Sequence, residues 1–141
     1  MVNENLKLTG ALTIALNDKV VHEVDNLVVT AGKNFVASRM KDTTKAAMTH
    51  MAVGTGTTAA AASQTALVNE NDRNTLTSTT VTANAIAYVC TWAAGDATAA
   101  LTEAGIFNAS SGGDMLCRTV FSVVNKAAAD SMTITWTVTV S

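Results

Sequence analysis

SMTITWTVTV, residues 131–140, carries the most regular alternation in the chain. Met132, Ile134, Trp136, Val138 and Val140 fall on one parity, and Thr133, Thr135, Thr137 and Thr139 on the other. Successive side chains of a strand point to opposite faces, so this pattern predicts a half-buried β-strand with one oily face and one hydroxyl face. A strand of this kind is held by packing, and truncating it costs the fold.

The same period recurs upstream. Ile86, Tyr88, Cys90 and Trp92 share one parity, and Gly95-Asp96 breaks that run. Residues 101–107 read as a strand, NASSGGD at 108–114 as a turn, 115–124 as a long strand and 127–130 as a further turn. Near the N-terminus, residues 6–14 alternate loosely. Asn17-Asp18-Lys19 then separates them from the apolar run 20–24, which predicts a β-hairpin. Asp25-Asn26 makes another turn, and 27–29 is a short apolar run. Helical spacing is clearest at 31–40, where Phe35, Val36 and Met40 recur, with Thr30 as the expected N-cap and Gly32 weakening the helix modestly. Residues 46–53 read as a buried strand stopping at Gly54. Alanine propensity predicts a short helical turn within 59–67, residues 69–74 read as a polar loop, and 76–81 as a Thr/Ser-rich strand.

Composition agrees. The chain has 141 residues, of which 48% are hydrophobic, enough for one domain with one core. There are 23 threonines and no proline, so β-branched residues abound and every backbone N–H can join a ladder. Aromatics are few, so Val, Leu, Ile, Ala and Met fill the core around Trp92 and Trp136, with Phe121 and Ile134 also inside. These features predict a mainly β protein: a two-sheet antiparallel β-sandwich, jelly-roll-like, with one short helix. Residues 1–25 form an N-terminal hairpin or arm, a candidate docking segment, and 26–141 the sandwich; together they make one domain.

Charge excludes several classes. Only 14% of residues are charged, against roughly 25% on average, and the net charge is -2. Nucleic-acid binding needs a clustered positive surface, and none is legible. The closest group, Lys33, Arg39, Lys41 and Lys45, sits beside Asp42 and reads as a solvated face. No apolar run approaches the ~20 residues of a membrane span. The polar start MVNENLKL shows no signal peptide, which points to synthesis in a cytoplasm followed by assembly. Cys90 and Cys117 lack metal-ligand spacing and lie in apolar runs. Buried, reduced thiols are the main reading and a cystine bridge the alternative.

GTGTT at 54–58 invites a phosphate-loop reading. It has no lysine to reach a phosphate, and the third glycine of a dinucleotide fingerprint is missing. The expected role is structural: glycines at a strand end that permit positive φ and close backbone approach. His22 and His50 sit in strand-like runs with no legible nucleophile–base grouping. No catalytic residue, cofactor site or metal site is predicted. Glu103 stands out in the apolar strand LTEAGIF. If Phe107 pairs with Asp114 across the 108–114 turn, Glu103 falls opposite Arg118 and Ile106 opposite Met115. A structural ion pair Glu103–Arg118 follows, fixing register and contributing ~0.2–1 kcal/mol if exposed. Glu70 and Arg73, three apart, can pair locally or reach a neighbouring subunit. Asn108-Ala109-Ser110 is a formal glycosylation sequon without meaning in a chain that is not secreted.

Four segments, MAVGTGTTAAAASQTALVNE (51–70), TEAGIF (102–107), GGDMLCRTVFSV (112–123) and DSMTITWTVTV (130–140), resemble small tailed-bacteriophage virion proteins. Such proteins are described as capsid decoration (cement) proteins or as tail-fibre-like. The resemblance spans about 26–141; residues 1–25 match less clearly. It implies non-catalytic β-sandwich modules located in the virion and working as oligomers, often trimers. The first expectation is therefore a decoration protein that binds the major capsid protein on the outside of the shell and self-associates. The alternative is a tail-fibre or adaptor component that meets tail or portal proteins. A glycan-binding β-sandwich is a second alternative; it would need exposed aromatics, whereas Tyr88, Trp92 and Trp136 read as core. Contact surfaces are expected in the arm 1–7, including Asn3 and Glu4, and in two loops. Those loops are 55–64, with Thr55, Thr57 and Thr58, and 108–113, with Ser110 and Ser111.

Overall fold

A computed structural model describes residues 5–41 and 45–141. It is a β-sandwich of two five-stranded antiparallel sheets with one short helix. In chain order the elements are β1 (Leu8–Leu16), β2 (Lys19–Asp25), β3 (Leu27–Val28), α1 (Thr30–Arg39), β4 (His50–Gly54) and β5 (Glu70–Thr75). They continue with β6 (Ser78–Thr82), β7 (Ala85–Trp92), β8 (Ala99–Phe107), β9 (Met115–Lys126) and β10 (Met132–Val140). The first sheet runs β2-β1-β10-β7-β6 and the second β3-β9-β8-β4-β5.

The alternation of β10 decides which way its sheet faces. Met132, Ile134, Trp136 and Val138 are buried between the sheets, and the four threonines line the outer surface. Trp92, Trp136 and Ile134 are completely buried and Phe121 nearly so. Burying an indole strands its N–H unless an acceptor is supplied. Trp136 Nε1 donates to Asn26 Oδ1 at 2.7 Å. The Asn26 side chain lies where a Cβ on Gly10 would be, so only glycine fits there.

The first hairpin turns at Asn17 and Asp18, with φ of 50° and 65°. Two consecutive left-handed residues of this type match the twist of the strands they join. The boundary expected after residue 25 falls inside the sandwich. β1 lies between β2 and β10 and pairs with β10 along its whole length. Lys7 extends that ladder: its N–H donates to the Ser141 carbonyl at 2.7 Å and its carbonyl accepts from Ser141 at 2.9 Å. Of the expected arm 1–7, residues 5–7 precede β1 and are exposed, with Lys7 tied to the strand pair through Ser141; Asn3 and Glu4 lie outside the described residues.

Three other expectations are corrected. The N-cap of α1 is Val29, with no side-chain cap, and Thr30 is the first helical residue. Val29 is completely buried in the small cluster on the outer side of the second sheet, so packing sets the boundary. Gly32 is required there, since a Cβ would strike the Leu116 backbone of β9. Residues 59–67 hold a turn at 62–63 and no helix, despite their alanines. The 69–74 segment, ENDRN after Asn69, is mostly strand: β5 pairs with β4, and Arg73 stacks its guanidinium 3.8 Å from the Phe107 ring centre.

Candidate functional site

The densest polar constellation is built on the outer side of the second sheet, around Glu103 of β8 and Arg118 of β9. Both side chains are completely buried, and Arg118 Nη2 lies 2.8 Å from Glu103 Oε1. Nε donates to the same oxygen at 3.0 Å. The two residues are not opposite one another: Glu103 faces Val120 and Arg118 faces Gly105. Likewise Ile106 faces Cys117, and Phe107 faces Met115. The register expected from the turn is off by two at Glu103: Phe107 pairs with Met115 rather than Asp114, and the irregularity at Ile106/Phe107 adds one more residue on β9. Glu103 and Arg118 still share a face, two positions apart, within reach of long side chains.

The loop between β4 and β5 closes over them. Glu103 Oε2 accepts from the backbone N–H of Gly56 at 2.7 Å and of Asn69 at 2.8 Å, and Oε1 from that of Val68 at 2.9 Å. Arg118 Nη1 donates to the Thr58 carbonyl at 2.9 Å and to Gln64 Oε1 at 3.0 Å. Thr102 adds a hydroxyl bond to the Gly56 carbonyl at 2.8 Å. Burial alone would raise the Glu103 pKa; the Asn69, Val68 and Gly56 amides with Arg118 outweigh it and hold the carboxyl below its ordinary range.

This explains GTGTT. The strand end does present amides to an anion, but the anion is the chain's own Glu103 carboxylate. Gly54 and Gly56 do not adopt positive φ; that conformation belongs to Gly95, Gly112 and Gly113. They are needed for close approach: a Cβ on Gly54 would lie 2.7 Å from Glu103 Oε2, and one on Gly56 would meet Glu103 Oε2 and the Val68 Cβ.

The expected contact loops have separate anchors. Thr55 is half-buried and its hydroxyl accepts from Asn69 Nδ2 at 2.6 Å, while Thr57 and Thr58 are exposed. Ser110 and Ser111 are exposed in the 108–114 turn, which Arg73 Nη1 holds through the carbonyls of Ala109 and Gly112, each at 2.9 Å. Arg73 also pairs with Glu70 at 2.6 Å, the local alternative for that pair. Cys90 and Cys117 are free and buried. His50 bonds to the hydroxyls of Thr49 and Thr75, and His22 packs near Phe121. Among the described residues no three His, Cys, Asp or Glu side chains converge on a metal-sized site, and no helix is long and apolar enough to cross a membrane.

The outward face of the first sheet is the other distinctive surface. Register aligns Thr9, Ala11, Thr13 and Ala15 of β1 with Thr139, Thr137, Thr135 and Thr133 of β10. Ala85, Ala87, Val89 and Thr91 of β7 continue the rows, as do Thr82, Thr80 and Ser78 of β6. Four strands thus present hydroxyls and methyls without a charge; Glu23 and Asp25 of β2 flank one side only. The β10 alternation foretells one row of this face. The remaining rows emerge only once strand order is known. All six Phe, Trp and Tyr side chains are buried, which leaves no exposed ring as a sugar-stacking platform.

No protein-family model, curated protein or solved structure matches this chain.

Proposed function

We propose that this chain is a structural protein of a bacteriophage virion, a decoration protein that attaches to the outside of the capsid shell. The observation that carries the reading is the uncharged four-strand face of the first sheet. Docking such a face against the major capsid protein desolvates no ion, and hydroxyls supply the directional bonds that fix orientation. Modest affinity per copy suffices, because repeated neighbouring contacts on a shell add by avidity. The Glu103–Arg118 constellation fits a module that must hold its shape under strain, because its charges pin a loop to a sheet. The four segments that resemble phage virion proteins support the same reading.

The test is sedimentation of the purified chain with shells lacking it, together with its copy number in purified virions. Co-sedimentation and many copies per head are expected, with Thr135→Lys abolishing binding while the chain stays folded. Few copies per particle would place the chain in the tail or at the portal, and absence from virions would end the reading.

A further inference from the structure

Each sheet edge is a row of backbone donors and acceptors that can template another strand, and proteins guard such edges with charge, bulges or brevity. Three edges of this sandwich are guarded. β2 carries Lys19, Glu23 and Asp25 and faces an irregularity at Ile14/Ala15. β3 is two residues long. β5 carries Glu70, Asp72 and Arg73, faces an irregularity at Val53/Gly54, and holds the 108–114 turn through Arg73.

β6 has none of these devices. Its sequence, STTVT, is uncharged, its pairing with β7 is regular, and all five residues are exposed. No charged side chain occurs anywhere in 74–95. Among the described residues no strand borders its outer side. Val81 is 68% exposed. Thr79 and Val81 also line an apolar groove of about 380 Å³ between the sheets, with Phe35, Met48, Leu116 and Val138 among its walls.

We infer that β6 is a self-association edge, pairing antiparallel with β6 of a second copy about a two-fold axis near Thr80. Two-fold pairing of identical strands sets Thr80 against Thr80, Thr79 against Val81 and Ser78 against Thr82. No like charges meet in that arrangement, and every pair is a β-branched or hydroxyl match suited to a sheet. Each Val81 is covered at the mouth of the groove. A second copy fits better than β2 of a neighbour, the pairing a three-fold ring would use, because that edge is irregular and charged. The pairing also joins the two neutral faces into one continuous surface. It does not depend on which partner that surface meets.

Size-exclusion chromatography with light scattering over a concentration range tests this. The expected result is a dimer that dissociates on dilution. Thr80→Lys is expected to be folded and monomeric, with a thermal midpoint that no longer depends on concentration and equals that of the dilute, dissociated parent chain, since Thr80 is exposed. In Thr80→Cys, oxidation is expected to give a covalent dimer on a non-reducing gel. Directly opposed Cα atoms, ~4.5 or ~5.5 Å apart, lie within the span of a disulfide, and the native thiols are buried. A monomer at all concentrations, a trimer, a dimer that Thr80→Lys leaves intact, or a dimer that Thr80→Cys fails to cross-link would each overturn the inference.

Discussion

Glu103 and Arg118 pair across two strands although each faces a different neighbour, Val120 and Gly105 respectively. The guanidinium reaches two residues along the shared face, and the carboxylate has room for three backbone amides besides. The two partners are therefore unequal. Without Arg118 the carboxylate keeps its amide donors; without Glu103 the guanidinium keeps only one carbonyl and one side-chain amide oxygen.

Glu103→Gln is expected to lower stability by about 3–5 kcal/mol, the usual cost of leaving one buried charge uncompensated. Arg118→Met is expected to cost less. Urea unfolding at neutral pH measures both; equal losses would contradict the asymmetry.

Acid should undo the same site. The Glu103 carboxyl titrates below its ordinary range in the folded chain, so its contribution is fully present above the unfolded pKa of about 4.3 and is lost as pH falls through the folded value. Unfolding free energy is therefore expected to decline below about pH 5, with a shallower decline in Glu103→Gln. Identical pH profiles for the two proteins would refute the assignment.

Gly56→Ala and Gly95→Ala separate crowding from backbone strain. At Gly56 a methyl meets the Glu103 carboxylate and Val68. At Gly95, φ is +92° and nothing lies within 4 Å of the added carbon. The first is expected to cost well over ~2 kcal/mol, as overpacking of a tight site does, and the second about 1 kcal/mol from the left-handed backbone alone. Thermal unfolding of the two variants checks the order.

Both thiols should resist reagents until the chain unfolds. Burial pushes Cys90 up to about 12, with Asp72 adding to the effect, and raises Cys117 well above its ordinary value. Thiolate is the reactive form, so labelling is expected to follow the unfolding rate. Native-state labelling with a thiol reagent, followed by mass, reads this; rapid labelling of either cysteine would contradict its burial.

How far the sequence reached depends on where local pattern and tertiary need coincide. They coincide in β10, whose alternation alone orients the first sheet, and at Asn17-Asp18, whose chemistry suits a tight hairpin. They part in β5: ENDRNT has no apolar parity because it is an edge strand, and what it packs on the sheet is the guanidinium of Arg73 over Phe107. They part again at 59–67, where alanine favours helix but Glu103 and Arg118 bind the neighbouring backbone in an open loop. The signal for the cradle was one acid within LTEAGIF. Its partner could be named from sequence, whereas its amide donors, 34 to 47 residues away, could not.

Because β10 lies between β1 and β7, the first sheet cannot assemble in the order in which a ribosome makes it. The opening hairpin and the β6–β7 hairpin must both wait, with apolar sides uncovered, until residues 132–140 leave the exit tunnel. Contacts so distant along the chain make for slow closure, and the nascent polypeptide is vulnerable to chaperone capture or mispairing throughout that delay.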